Sequence, residues 1–539
     1  VFIPGNANRG GIISEHDRDK FMEKGLSLAP GSKQKTFIQK FYLYLMLTKP
    51  TEQMILLYSK TSAEGNSLRP AYLIADLLKM FPNMKVQEVK HNLMEHELTE
   101  KSGISFLVEG LQNYHDGLGK EWQELYTWYK KNPDWAERIT QMVEAAFYEN
   151  PKDRLSAETA KKLYGEVLEN SVTRLENFSA CAYSHFLTYG LRLKERDTYQ
   201  FQAVDLGNLF HSALERFSKK MEHAGFTWTT ITDEEKDLFI ENSVEESIVD
   251  YGNTILYSSA RNEYVITRLK RMMRRTVWAL TKQLENSSFV PEGYEITFGG
   301  TTPISSSNIQ LDELGRMRLR GKIDRVDVCE DEEHVYVKIM DYKTGTKAFD
   351  LGEVCYGLQM QLVLYMNAAM ELEQRKHPEK KVIPAGIFYY QIQDPMVDKE
   401  RDINKVELAI LKELRPDGIV NAEKEVIDLL EKPSDGIYKA IPVSINKDGS
   451  LSKKSQVLTQ EEFKLISEFA KQQAKETGKK ILEGNIDIAP YELGERTGCD
   501  YCPYHAVCGF ETQLQGYEYK TLKKLDRESA MNNMREAIE

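Results

Sequence analysis

An α/β fold in several domains is what this sequence predicts, on three observations. The chain has 539 residues, and at roughly 150 residues per domain that length implies about three or four units. Its central region switches periodicity: residues 204–285 read as helices, 290–345 as alternating strands, and about 354–376 as a helix again. Hydrophobic residues make up 41% and charged residues 29%, a balance that excludes disordered and membrane-spanning classes.

No window approaches the ~18–20 uninterrupted apolar residues of a spanning helix. The opening VFIPGNANRGG has no basic segment followed by an apolar one, so nothing marks a secretory signal, and a cytoplasmic location is expected. That opening reads as a strand and a Gly-rich loop beginning at Val1, as in a fragment of a longer protein. Lys and Arg number 71 against 83 Asp and Glu, a net charge of -12. Any polyanion would therefore be met in a local basic channel rather than on a positive surface.

Taken in order, residues 1–90 alternate short apolar runs such as QMILLYSK with helical stretches such as RPAYLIADLLKMF. Residues 100–195 read as almost wholly helical, with Trp122, Trp128 and Trp135 as packing residues and a break at Asn150-Pro151. Residues 381–400 read as strand, 401–456 as loop-rich, and 459–484 as a long helix opened by the capping box Thr459-x-x-Glu462. The domains expected are 1–150 (α/β, then helical), 151–203 (connecting), 204–400 (central) and 401–539 (loop-rich and helical).

The six cysteines are Cys181, Cys329, Cys355, Cys499, Cys502 and Cys508. The last three form C-x2-C-x5-C, a spacing more typical of metal ligation than of a disulfide. Three thiolates leave one ligand to find among Cys181, Cys329, Cys355 and His505.

The chemistry concentrates between 205 and 365. In VYVKIMDYKTG, period-2 alternation puts Val335, Val337, Ile339, Asp341 and Lys343 on one strand face. A carboxylate and an ammonium two residues apart can hold a divalent metal and orient a water beside it. RMRLRGKIDRVDV supplies Asp324 in a second apolar strand, where a lone carboxylate needs a partner or a metal. DLGNLFHSALERF is an amphipathic helix that buries Leu206, Phe210, Leu214 and Phe217. It carries His211 and Glu215 one turn apart, Glu215 reading as a surface or supporting charge. GLQMQLVLYM places Gln361 and Tyr365 one turn apart on another helix. Together these make a hard-cation site suited to cutting a phosphodiester. Arg316, Arg318, Arg320 and Lys322 share a strand face, and Arg268, Arg271 and Arg275 a helix face, both compatible with a DNA path.

The ordered set LGNLFH, GKIDRVD, DYKTG and QLVLY resembles the PD-(D/E)XK nucleases of the RecB type. The resemblance implies that His211, Asp324, Asp341 and the backbone carbonyl of Tyr342 hold Mg²⁺. It also implies that Lys343 orients the attacking water and that Gln361 and Tyr365 position the strand or the lysine. In iron–sulfur members of this family one cysteine precedes the nuclease core and three follow it. This implies a [4Fe–4S] cluster on Cys181, Cys499, Cys502 and Cys508, with Cys329 and Cys355 as ordinary thiols and His505 as a neighbour. Spacing alone leaves tetrahedral zinc open.

The early segments, including HDRDKFMEKGLSLAP and YSKTSAEGNSLRPAYLI, are similar to the superfamily-1 helicase-like part of AddB, the B-subunit family of AddAB helicase–nucleases. That resemblance implies an AddA-type partner, DNA ends and single-stranded DNA as ligands, and a 5′→3′ exonuclease acting on the 5′-terminated strand during recombinational repair. No G-x-x-x-x-G-K-[ST] loop occurs, so ATP hydrolysis is not expected here. The alternatives are a stand-alone iron–sulfur nuclease of the CRISPR-associated or replication type, and a catalytically silent DNA-binding subunit.

Overall fold

A computed structural model describes residues 13–26, 28–61, 67–88, 99–114, 117–150, 152–196, 200–251, 254–299, 307–433, 437–446 and 448–539. The opening VFIPGNANRGG lies outside them. The chain divides into two compact units, residues 1–110 and 111–539. Among the described residues no helix is long and apolar enough to cross a membrane.

In the first unit, Ser14 opens α1 (Glu15–Glu23) with a capping box to Asp17. Helix α2 (Ser32–Thr48) follows, and then α3 (Tyr72–Met80), which has no buried residue. The alternation read here gives helices but, among the described residues, no strand. The run QMILLYSK leaves Ile55 71% and Leu57 81% exposed. An apolar pattern makes a strand only where another strand takes up its backbone hydrogen bonds.

Helix α4 (Glu100–Gln112) comes next. In the second unit, α5 (Lys120–Lys131) and α6 (Ala136–Ala146) follow. Trp122 is buried and stacks on Tyr126, and Trp135 meets Tyr129 edge-on. Trp128 is half exposed but packs edge-on against the buried Tyr129 at 4.9 Å. After α7 (Ala157–Tyr164) the chain forms strand β1 (Val167–Ser171), inside the stretch read as helical. VLENS is short and half polar, and its strand state comes from parallel pairing with a distant strand.

Next come α8 (Val172–Ala180) and α9 (Ala182–His185), which meet at Cys181, then α10 (Ala203–His223), α11 (Asp233–Asp250) and α12 (Ala260–Glu285). Strands β2 (Val290–Phe298), β3 (Asn308–Gln310), β4 (Arg316–Glu330) and β5 (His334–Lys343) occupy the region of strand periodicity. The helix expected over 354–376 is two, α13 (Leu351–Cys355) and α14 (Gln361–Lys376). Gly357, at φ +74°, turns the chain between them.

The strand expected over 381–400 ends early, as β6 (Lys381–Gln391). The region read as loop contains α15 (Ile403–Glu413), β7 (Asp417–Asn421) and α16 (Lys424–Leu430). After β8 (Val457–Leu458), Thr459 and Glu462 form the expected capping box of α17 (Gln460–Leu482). The C-terminal segment adds β9 (Tyr491–Leu493), β10 (Arg496–Thr497), α18 (His505–Cys508), β11 (Lys520–Thr521) and α19 (Arg527–Ile538).

The main sheet runs β1-β4-β5-β6-β7-β8, with β2 and β3 also paired to β4. β4 and β5 form an antiparallel hairpin, and the α13–α14 crossover returns the chain to β6, parallel to β5. β5 is buried along most of its length because helices cover both faces. Val335, Val337 and Ile339 pack in a core with residues of α8, α14, α17 and α19. Met340 and Tyr342 pack in a second core with α10, α11 and α12. Residues 149–155 are clamped to the far end of the chain: Asn150 N donates to Gln515 O (3.0 Å), and Leu155 N to Gly484 O (2.9 Å).

Candidate active site

The β4–β5 hairpin sets the two aspartates beside each other. Arg325 pairs with Met340 in register, so Asp324 and Asp341 are neighbours across the ladder. Asp324 Oδ2 accepts the Tyr342 N–H at 2.7 Å. Asp341 is buried, with its Oδ2 2.6 Å from Lys343 Nζ. Gln361 Nε2 donates to Asp341 Oδ1 at 2.8 Å, and Lys343 Nζ donates to Gln361 Oε1 at 3.0 Å. The first residue of α14 thus closes a ring with the Asp-x-Lys pair. Burial, and then the charge of Asp324, push the Asp341 carboxyl up to about 6, against the pull of Lys343. Two carboxylates this close call for a cation.

Helix α10 brings His211 to this edge. A Cβ on Gly207 would lie 3.1 Å from Thr344 Oγ1, so the helix packs closely on the loop after Lys343. His211 Nδ1 then lies 3.4 Å from Asp324 Oδ2 and 3.8 Å from Glu295 Oε1. One donor atom from each of these three residues falls within 4.8 Å of the others. Burial alone would lower the imidazole, but Asp324 and Glu295 override it and raise His211 to about 10.

Glu295 is the residue that the sequence pattern missed. In YEITF it reads as an ordinary outward position of a strand. Its backbone takes φ +54°, however, inside β2, which turns the carboxylate toward His211 and Lys322 (2.7 Å). A left-handed non-glycine residue within a strand is a strained conformation of the kind that clusters at functional sites. Burial would raise its carboxyl, yet His211 and Lys322 hold it below the usual range.

Tyr365 stands one turn beyond Gln361, its ring edge-on to Phe298 at 5.6 Å. Gly321 leaves the room: a Cβ there would sit 2.5 Å from the Phe298 ring and 3.0 Å from Tyr365. Burial pushes the Tyr365 hydroxyl up to about 12. The N-terminus of α14 has no local side-chain cap. Glu176 of α8 supplies one, with Oε1 accepting Met360 N at 2.8 Å and Gln361 N at 3.0 Å. Burial raises the Glu176 carboxyl, partly offset by Lys347.

The other two charges of DRVD serve a different purpose. Asp327 accepts from Arg325 Nε (2.5 Å) and Nη2 (2.8 Å), and lies 2.6 Å from Lys338 Nζ. All three are almost fully buried.

The four expected cluster cysteines converge. Cys181 ends α8, and the thiols of Cys502 and Cys508 join burial in raising it. Burial and the other three thiols push Cys499 up to about 11. His505 is a neighbour, its carbonyl accepting from Cys508 Sγ at 3.6 Å. Cys329 and Cys355 lie elsewhere, half-buried against separate cores.

The basic stripes are largely compensated. Arg318 and Arg320 share Glu169 (3.0 and 2.8 Å), Lys322 holds Glu295, and Arg271 pairs with Asp394 at 2.5 Å. Glu215 pairs with Lys219 at 2.6 Å, in the supporting place expected of it.

The profile of the PD-(D/E)XK nuclease superfamily matches residues 169–509. Residues 98–145 match the fifth domain of ATP-dependent helicase/deoxyribonuclease AddB. The chain is 38% identical over 534 residues to the ATP-dependent helicase/deoxyribonuclease B subunit of Lachnoclostridium phytofermentans, covering 97% of this chain and 45% of that one. The B subunit of the same description from Alkaliphilus oremlandii is 35% identical over 544 residues (100% and 48%). That of Caldanaerobacter subterraneus is 36% identical over 535 (97% and 46%). The chain spans about half the length of the curated relatives it matches. The profile covers β1 through the last of the clustered cysteines, and the chain belongs to the PD-(D/E)XK nuclease superfamily.

Proposed function

We propose that this chain is the nuclease-bearing part of the B subunit of an AddAB-type helicase–nuclease. In this reading it degrades the 5′-terminated strand, 5′→3′, during double-strand break repair, with an AddA-type subunit as partner and DNA ends and single strands as ligands. The observation that carries the reading is the convergence of His211, Glu295 and Asp324 on the Asp341–Lys343–Gln361 ring. One imidazole nitrogen among carboxylate oxygens suits a divalent cation, and the proximity of Asp324 to Asp341 gives it a charge to neutralise. Mg²⁺ would be held by His211, Asp324, Asp341 and the Tyr342 carbonyl, with Glu295 beside them. Such an ion supplies charge neutralisation at the phosphate and acidifies a water.

Lys343, fixed between Asp341 and Gln361, orients the attacking water and meets charge developing on the phosphate. Gln361 keeps the lysine and the aspartate in register. Tyr365, one turn further along α14, would help position the strand or the lysine. The intact Asp-x-Lys pair favours an enzyme over a silent DNA-binding subunit. ATP hydrolysis is assigned to the partner subunit or to sequence outside this chain, and the location to the cytoplasm. Within the chain, residues 204–400 form the nuclease core, 1–150 a helicase-like region, 151–203 the connection and 401–539 the cluster-bearing end.

Cys181, Cys499, Cys502 and Cys508 would hold a [4Fe–4S] cluster that staples both flanks of the nuclease. Anaerobically purified protein should be brown with about four irons per chain. A colourless protein with stoichiometric zinc refutes the cluster. For the nuclease, single-stranded DNA should be cut with Mg²⁺ and left intact by Asp341→Ala; equal cleavage by the variant refutes the site.

A further inference from the structure

Two ammonium groups share one aromatic ring beside the site. Lys343 Nζ lies 5.6 Å, and Lys347 Nζ 5.1 Å, from the centroid of Tyr389. Asp341 takes up the charge of Lys343. Lys347 makes no ion pair among the described residues, and Glu176 acts on it only through space. Both lysines line a groove of about 640 Å³, together with Thr346, Gln391 and Arg496. Gln391 Nε2 donates to the Lys347 carbonyl at 3.2 Å, which fixes the loop that carries it.

The groove's acids are already engaged. Asp350 caps α13 through the N–H groups of Gly352 (2.7 Å) and Glu353 (3.2 Å), and Glu353 pairs with Arg496. Among the described residues Lys347 is thus a groove cation without an ion pair, with the buried Glu176 acting on it only through space, a few residues beyond the Asp-x-Lys pair.

We propose that this groove is a subsite for a phosphodiester adjacent to the one being cut, with Lys347 as its ligand. This rests on the nuclease reading above. Lys347 grips the backbone without reading sequence and sets which phosphate reaches Lys343.

Binding of a 5′-fluorescein single-stranded oligothymidine, followed by anisotropy, tests this in the Asp341→Ala chain, where nothing is cut. Adding Lys347→Ala should weaken binding about tenfold, roughly the effect of losing one charged contact. It should also reduce the slope of log affinity against log salt by about 0.7, the release expected for one phosphate contact on a single strand. Lys347→Arg should restore both, and the melting temperature should stay unchanged throughout. An unaltered affinity and slope in Lys347→Ala, or no binding by the parent, overturns the subsite. Mg²⁺-dependent cleavage by the unsubstituted chain is scored separately: its absence sinks the nuclease reading, while the binding comparison still decides the subsite.

Discussion

The hairpin β4–β5 carries charged side chains on both faces, and the two sets are treated in opposite ways. On one face Asp327 lies between Arg325 and Lys338. Burial would raise its carboxyl, but the two cations hold it below the usual range. On the other face Asp341 is equally buried, yet burial and Asp324 push it up to about 6 despite Lys343. The first set is closed, each charge answered within the protein. The second is left open on the acidic side. A buried aspartate in this sheet thus reveals its purpose by whether its neighbours complete its charge.

Removing a member of the closed set should have the largest effect. Asp327→Ala leaves Arg325 and Lys338 buried without a counter-charge and should destabilise the second unit by ~3–5 kcal/mol. Urea unfolding followed by tryptophan fluorescence measures this, and a midpoint like that of the parent refutes it. On the open face, Asp341→Asn should leave unfolding unchanged or slightly improved, because it relieves the repulsion with Asp324. It should also reduce cleavage roughly 10³-fold, the scale of lost electrostatic catalysis.

Between these extremes lies Glu176→Ala, which uncaps α14 at a cost of about 0.5–2 kcal/mol. It loosens Gln361 against Lys343, so turnover should drop while DNA affinity holds. The effect should vanish in a Gln361→Ala background. Additive losses in the double variant would show that Glu176 acts elsewhere. The smallest effect concerns pH in metal-free protein. His211 is raised above its usual 6.5, to about 10. Its contribution is therefore complete below pH 6.5 and is lost as pH rises toward 10. Thermal melts in EDTA across that range should fall for the parent and flatten for His211→Gln.

Much of this contrast was legible in the sequence. The period-2 run in VYVKIMDYKTG, the four-residue step from Gln361 to Tyr365 and the spacing of the last cysteines each express a local geometric rule. These residues meet where those rules place them. The positions that escaped depend on distant partners. Glu295 joins the site through a left-handed backbone that no side-chain alternation encodes. β1 is a strand only because β4 lies beside it, and QMILLYSK, with the stronger apolar pattern, forms none. Arg325 and Asp327 look like ordinary polar positions until Lys338 is seen opposite them.

The clamp between residues 149–155 and the far end of the chain bears on how the protein is made. Asn150 Nδ2 donates to Gly516 O across a separation of 366 residues. At 5–20 residues per second, a ribosome needs about 20–70 s to deliver the second partner after the first. For that interval β1 and Glu176 wait beside a sheet that is still being synthesised, and Cys181 waits without its three companions. High contact order of this kind slows closure and exposes unfinished edges to aggregation. Closure of this clamp is thereby postponed until Gly516 has emerged.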